Sequence, residues 1–163
     1  MKSIHVRSIW ISEGHDFVGH HGGPRGEHGL VPVERIECHA GRGIVGDRFY
    51  GHREDFKGQI TFFSGEVAEA VRAELGVPSI EPGLFRRNVL VEGVDLNALV
   101  GKRFQIGEVE FSGSEECSPC YWMDQAIAPG AHKALIGRGG LRCRILRSGV
   151  LSCGDHTMEV LED

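Results

Sequence analysis

The sequence predicts a mainly β protein, a β-barrel with a few short helices. Its 163 residues include 24 glycines, against a usual share of about 7%, so we expect many turns between short strands. Short stretches of alternating apolar and polar residues recur along the chain, whereas only residues 64–76 have convincing helical spacing. Many short strands with little helix favour a closed barrel over a parallel α/β sheet.

Alternating apolar and polar residues predict the strands. Gly107 and Glu108 separate two of them and predict a two-residue hairpin, because glycine suits the first position of such a turn. The predicted strands cover residues 4–11, 31–38, 59–63, 84–91, 104–106, 109–111, 141–146, 150–153 and 158–160.

One helix is predicted with defined ends. Ser64 is a suitable N-cap, and Val67, Val71 and Leu75 form a buried stripe at helical spacing. Gly76 is expected to end the helix in a left-handed conformation. Shorter helical segments are expected at residues 95–99 and 131–136.

The length is that expected of a single domain, 1–163, with a core from about residue 33 to 163. Residues 14–29 are rich in glycine and histidine but match no defined metal spacing, so a surface loop is expected. No signal peptide or membrane span is recognisable, which predicts a cytoplasmic protein without a membrane partner. Five cysteines in such a chain favour reduced thiols over a disulfide framework.

Charge is unevenly distributed along the chain. The net charge of −5 at pH 7 argues against a general nucleic-acid binder. Residues 125–154 contain no aspartate or glutamate, although they carry one lysine and four arginines. This stretch is interpreted either as a site for a small anion or as an exposed basic strand face, and charge alone does not decide between them.

The most informative stretch is residues 114–124, which contains Cys117 and Cys120. Pro119 restricts the backbone directly before Cys120. Because the thiolate is the nucleophile and the metal ligand, a sulfur held in a turn is a candidate for chemistry. We therefore predict Cys120 as the catalytic residue.

Two further segments carry candidate binding residues. Arg86, Arg87 and Asn88 lie where a predicted strand begins, and an arginine fork suits phosphate. A pair of surface arginines is an equally ordinary interpretation of Arg86 and Arg87. Asp47 and Arg48 end a glycine-rich turn whose backbone can approach a ligand closely. For Asp47, a side chain that simply closes the turn is an equally ordinary interpretation.

Several segments together resemble the MOSC domain, a family related to the C-terminal part of molybdenum cofactor sulfurases. The resemblance runs from about Val33 to the C-terminus and implies a barrel of the MOSC, or pyruvate-kinase-barrel-like, type. It rests on residues 43–48, 59–61, 83–88, 95–96, 101, 106–107, 119–120, 137–140 and 154–155.

The resemblance implies a molybdopterin molybdenum cofactor with Cys120 as the metal ligand or as a sulfur carrier. Some relatives reduce N-hydroxylated bases, which implies a small-molecule substrate and an electron-transfer partner. Arg86 and Asn88 match a cofactor-facing Arg-x-Asn, and Ser118 occupies a position where a small polar residue is usual. Pyridoxal phosphate is not expected, since the chain is too short for the lyase domain.

We expect Asp47 and Arg48 to shape the pocket and Arg142 to add positive potential. Three alternatives remain open at this point. Cys120 could carry sulfur as a persulfide without any metal. Cys117 and Cys120 could form a redox dithiol, although no βαβ pattern accompanies them. The same two cysteines with Cys153 and His156 could bind structural zinc in a non-catalytic binding module.

Overall fold

The computed structural model describes residues 1–12, 30–119 and 122–161. Within these residues there are eleven strands, three α-helices and two 3-10 helices. In chain order they are β1 (Lys2–Ile11), β2 (Val31–Val33), β3 (Arg35–His39), β4 (Gly43–Ile44), β5 (Ile60–Ser64), α1 (Gly65–Leu75), a 3-10 helix (Pro82–Phe85), β6 (Val89–Glu92), a second 3-10 helix (Leu96–Leu99), β7 (Arg103–Ile106), β8 (Val109–Glu116), α2 (Trp122–Ala126), α3 (Ala131–Leu135), β9 (Leu141–Arg147), β10 (Gly149–Ser152) and β11 (Gly154–Leu161).

Seven of the described strands form a closed barrel, which confirms the predicted fold class. The order around the ring is β11-β7-β8-β9-β5-β6-β1, and β1 pairs with β11 to close it. In the closing pair the strands are antiparallel, with Lys2 opposite Met158 and Val6 opposite Gly154. β2 extends the sheet from the far end of β1.

The barrel interior is filled because alternate residues of each strand point inward. In β9, Leu141, Cys143 and Ile145 are buried in the main core, whereas Arg142 is partly exposed between the first two. The strands therefore present two faces, an apolar interior and an outer face that is free to carry polar groups.

A second apolar cluster lies between the barrel and its helices. Phe63 of β5 and Leu90 of β6 belong to this cluster, while their neighbours Phe62 and Val89 belong to the interior. Val71 of α1 completes the contact and is fully buried. Helix α1 thus covers the outside of the barrel wall.

Helix α1 begins and ends as the sequence predicts. The Ser64 hydroxyl accepts a hydrogen bond from the Val67 backbone N–H at 3.2 Å, and Gly76 takes the left-handed conformation with φ of 67°. The helix belongs to the crossover that joins β5 to β6, which pair in parallel. Parallel neighbours need a crossover of this kind, because a tight hairpin cannot connect them.

The predicted strand at residues 31–38 was wrong in its continuity. The chain bends at Glu34, so β2 pairs with β1, whereas β3 pairs with β10 and β4 in a separate three-stranded sheet. Pro32 has no backbone N–H and is tolerated in β2, which is an edge strand.

The predicted strand at residues 84–91 was wrong in its first half. Pro82 begins a 3-10 helix that runs to Phe85, and Arg86 then has φ of 61°, which is outside the strand region. The strand itself starts only at Val89. Among the described residues, every helix falls short of the length and apolar character needed to cross a membrane.

Candidate functional site: a cavity lined by arginine

Four arginines converge on one cavity of roughly 110 Å³ on the outer face of the barrel. The described residues that line it include no acidic side chain. They are Arg48, Phe49, Phe56, Gly58, Thr61, Arg86, Arg87, Asn88, Cys117 and Arg142. Ligand pockets for drug-sized molecules measure about 300 Å³ or more, so this cavity suits a small group such as an oxyanion.

Arg86 and Arg87 enter the cavity from the turn between the 3-10 helix and β6. The Arg86 backbone is held in the left-handed region, with φ of 61°, and its guanidinium lies 5.7 Å from the centre of the Trp122 ring. Arg87 Nε donates to the Gly139 carbonyl at 2.9 Å. The two neighbouring side chains are thus fixed by different parts of the protein.

Asn88 lies beside these arginines and is almost fully buried. Its Nδ2 donates to the Trp10 carbonyl at 3.0 Å, and its Oδ1 accepts from the Thr61 backbone N–H at 3.0 Å. Thr61 Oγ1 also donates to this oxygen, at 3.1 Å. The amide therefore joins β1, β5 and the start of β6, and it fixes the backbone that carries Arg87.

Asp47 is placed next to the cavity but does not line it. Its Oδ1 accepts from the Ser12 backbone N–H at 3.0 Å, and its Oδ2 accepts from the Phe49 backbone N–H at 3.4 Å. Gly46, just before it, has φ of 87°. Asp47 closes the turn in this way and positions Arg48, whose guanidinium lies 4.9 Å from the centre of the Phe49 ring.

Arg142 and Cys117 meet at the wall formed by β8 and β9. Arg142 stands opposite Thr61 on one side and Glu115 on the other. Burial raises the pKa of the Cys117 thiol, although Arg87 and Arg142 oppose this effect. Glu115 Oε1 lies 3.4 Å from Arg142 Nη1 and stands at the rim of the cavity.

The segment from Cys117 to Pro119 is packed against two glycines. The Cys117 backbone N–H donates to the Gly140 carbonyl at 2.8 Å. A Cβ at Gly139 would overlap the Cys117 carbonyl oxygen, so only glycine allows this approach. Ser118 is exposed and does not line the cavity.

Cys120, the predicted catalytic residue, lies outside the described residues, as does the predicted loop at 14–29. The four described cysteines, Cys38, Cys117, Cys143 and Cys153, are free thiols. In each of them burial raises the pKa, and a raised pKa keeps a thiol protonated and unreactive.

The zinc alternative is not supported. Within residues 1–12, 30–119 and 122–161, no three histidine, cysteine, aspartate or glutamate side chains form a group that could hold a metal ion. Cys117, Cys153 and His156 therefore do not assemble as the hypothesis required. His156 Nε2 instead lies 2.6 Å from the Ser152 carbonyl.

Of the predicted site residues, Arg48, Arg86, Asn88 and Arg142 line the cavity. Arg87, the middle residue of the Arg-x-Asn motif, was noted at the predicted strand start but was not assigned a site role, and it also lines the cavity. Phe49 and Phe56 were not predicted as site residues, because the apolar residues around them do not recur at the spacing of a strand or a helix. Their rings lie 5.2 Å apart and form the apolar part of the cavity lining.

The fold and the cavity define a class of protein, a closed β-barrel with a small cationic site on its outer face. The family model of the MOSC domain matches residues 19–157. The chain therefore belongs to the MOSC family. None of the curated proteins searched matches it.

Solved structures share this fold at low sequence identity. The YuaD protein from Bacillus subtilis has a TM-score of 0.78 at 22% identity, over 97% of this chain and 95% of that one. YiiM from Geobacillus stearothermophilus has a TM-score of 0.68 at 18% identity, over 98% and 75%. YiiM from Escherichia coli has a TM-score of 0.66 at 16% identity, over 100% and 71%.

Proposed function

We propose that this protein binds a molybdopterin molybdenum cofactor and reduces small N-hydroxylated or N-oxygenated substrates. The observation that carries the proposal is the convergence of four arginines on one small cavity, with no acidic side chain among its described lining residues. MOSC domains are associated with this cofactor in general, and molybdopterin ends in a phosphate group.

The donor set fits the phosphate end of such a cofactor. Arginine offers a planar fork of N–H donors that matches phosphate geometry. Arg48, Arg86, Arg87 and Arg142 would hold this group, while the buried amide of Asn88 keeps the strand start in place. The cavity volume of roughly 110 Å³ suits a phosphate and not a whole pterin.

Cys120 is proposed as the metal ligand. It follows Cys117, which lines the cavity, by three residues in the chain. The four described thiols all have pKa values raised by burial, so a reactive thiolate in this chain would have to be Cys120. A soft thiolate suits a soft metal centre.

When bound, the cofactor supplies a metal centre able to exchange two electrons. Reduction of an N–OH group to N–H consumes two electrons and two protons and releases water, so an electron-donor protein is needed as a partner. The residues of the chain neutralise the anionic end of the cofactor and fix its orientation. Phe49 and Phe56 exclude water from one wall of the cavity.

The test is to isolate the protein from cells able to make the cofactor and to measure molybdenum and pterin per chain. Cys120→Ala should lose molybdenum. Arg86→Gln should lower pterin content about tenfold or more, because a hydrogen bond to a charged group contributes roughly 1.5–3 kcal/mol. Glutamine would meet the same backbone strain at φ of 61°, so the comparison reports on the guanidinium.

Two matched variants serve as controls. Cys153→Ala removes a partly exposed thiol, and Arg103→Gln removes an arginine whose Nη1 pairs with Glu110 at 2.9 Å. Both should retain cofactor. Wild-type protein without molybdenum or pterin would contradict the proposal, and a persulfide found on Cys120 in such protein would favour the sulfur-carrier alternative.

A further inference from the structure

A carboxylate at the rim of the cavity is shared between two cations. Glu115 Oε1 lies 3.0 Å from Lys57 Nζ and 3.4 Å from Arg142 Nη1. Lys57, followed by Arg142 and Arg144, lowers the pKa of Glu115 against the opposing effect of burial. Glu115 is therefore the counter-ion of a cation that also lines the cavity.

Arg142 is placed to move between two partners. On β9 it stands opposite Glu115 of β8 and also opposite Thr61 of β5, which lines the cavity. Its Cδ lies 3.7 Å from the position that a Cβ would take at Gly58, so the stem of the side chain passes beside this glycine, which also lines the cavity. The guanidinium can thus pair with Glu115 at the rim or with a ligand inside.

The two cations lie at different distances from the Glu115 carboxylate. Lys57 makes the closer contact with Glu115, whereas Arg142 makes the longer one at 3.4 Å. Both cations contact the same carboxylate oxygen, so a change at Lys57 should alter the pairing of Glu115 with Arg142. Without Lys57, Glu115 would hold Arg142 more tightly.

We infer that Glu115 is a positioning residue that competes with an oxyanion for Arg142, and that Lys57 sets the strength of this competition. The inference rests on the proposed role of the cavity as a phosphate site. An entering phosphate group takes Arg142 from Glu115, and Glu115 keeps Lys57 as its partner. Before a ligand enters, the Arg142 side chain is therefore paired with the Glu115 carboxylate at the rim of the cavity.

The neighbouring charges make other contacts. Arg144 Nε lies 2.9 Å from Asp55 Oδ1, and Arg144 Nη1 donates to the Ser114 hydroxyl at 3.2 Å. Arg87 Nε is held by the Gly139 carbonyl. Arg142, by contrast, both lines the cavity and pairs with a carboxylate at its rim.

The test measures the affinity of cofactor-free protein for inorganic phosphate by calorimetry at low ionic strength. Glu115→Gln should bind phosphate about two- to fivefold more tightly, the range expected for an exposed ion pair. Lys57→Met should bind it more weakly by a similar factor. In the double variant the affinity should equal that of Glu115→Gln, because Lys57 acts only through Glu115.

A general effect of charge gives a different result in the double variant. If both residues acted only through the overall field, their contributions would add, and the double variant would return to the wild-type affinity. That outcome would overturn the inference. Glu69→Gln is the matched control, since Glu69 pairs with Arg72 at 2.7 Å on α1 and its removal should leave phosphate affinity unchanged.

The failure of this inference can be told apart from failure of the proposed function. If wild-type protein binds phosphate and Arg86→Gln weakens it, but Glu115→Gln behaves as wild type, only the positioning role is lost. If wild-type protein does not bind phosphate, this inference fails, whereas the proposed function is still decided by the molybdenum and pterin content of the isolated protein.

Discussion

At the scale of single residues, Asn88 illustrates how a polar group can be buried inside a barrel wall. Its side chain donates to Trp10 and accepts from the backbone and hydroxyl of Thr61. A buried amide whose nitrogen and oxygen are both hydrogen-bonded avoids much of the cost of desolvation. We therefore expect Asn88 to support the site by fixing the backbone of its neighbour Arg87.

A buried thiol gives a prediction about pH. Burial raises the pKa of Cys38 from 9.0 to about 12. The unfolded chain loses this proton near pH 9, while the folded protein keeps it to about pH 12. The contribution of this thiol to the free energy of unfolding is therefore fully present below pH 9. It is lost as the pH rises from 9 to 12, with a slope of up to about 1.4 kcal/mol per pH unit.

The measurement is the free energy of unfolding in denaturant from pH 8 to pH 11. The wild type should lose stability more steeply than Cys38→Ala, and lysine and tyrosine titrations cancel in that difference. Cys153→Ala, which removes a partly exposed thiol, should change the slope less. Parallel curves for wild type and Cys38→Ala would show that the Cys38 thiol ionises equally in both states.

At the scale of elements, the site depends on a close approach between two segments. Gly139 and Gly140 touch the segment from Cys117 to Pro119, and Arg87 is hydrogen-bonded to Gly139. The turn before β9 therefore holds both the cysteine segment and one of the arginines. A change in this turn should affect stability and ligand binding together.

We expect Gly139→Ala to destabilise the protein by roughly 1–3 kcal/mol and to weaken phosphate binding, because the new Cβ would displace the Cys117 carbonyl. Gly137→Ala is the matched control. Gly137 has φ of 82°, and no atom lies within 4 Å of the place that an added Cβ would take, so this variant tests backbone strain alone. It should cost about 1 kcal/mol and leave phosphate affinity unchanged. Equal phosphate affinity in both variants would argue against a shared support.

At the scale of the whole molecule, the interior of the barrel is where most of the apolar surface is buried. Residues of all seven ring strands meet there. Ile4 lies in the strand that closes the ring and is 3% exposed. Val160 lies in β11, the partner strand, with its side chain on the outside at 47% exposure.

Ile4→Ala should therefore lower the free energy of unfolding by about 2–5 kcal/mol, because it leaves a cavity in a packed core. Val160→Ala removes apolar atoms that already face solvent and should change it by no more than about 0.5 kcal/mol. Denaturant unfolding followed by circular dichroism measures both. Similar losses in the two variants would mean that the barrel interior is not the dominant core.

Much of this architecture could be predicted from the sequence, since strands such as β1 and β9 have a regular alternation and α1 has clear ends. The bend at Glu34 could not, because it depends on which strand each half pairs with. Helix α2 and β4 were missed because five and two residues are too few to show a period.

Only some residues of the candidate site could be predicted from the sequence. Arg86, Asn88 and Arg142 were selected by charge and motif, and they do line one cavity. Phe49, Phe56 and the rim residue Glu115 were not, because their roles arise from contacts between segments that are distant in the chain. The roles predicted for Cys120 and Ser118 remain predictions.

The pairing of β1 with β11 has a consequence for biosynthesis. The chain is made from the N-terminus, and Lys2 finds its partner only when Met158 has been synthesised. Until then one edge of the first strand is exposed, and exposed strand edges invite pairing with other chains. We therefore expect this edge to need protection by chaperones while the nascent polypeptide is on the ribosome.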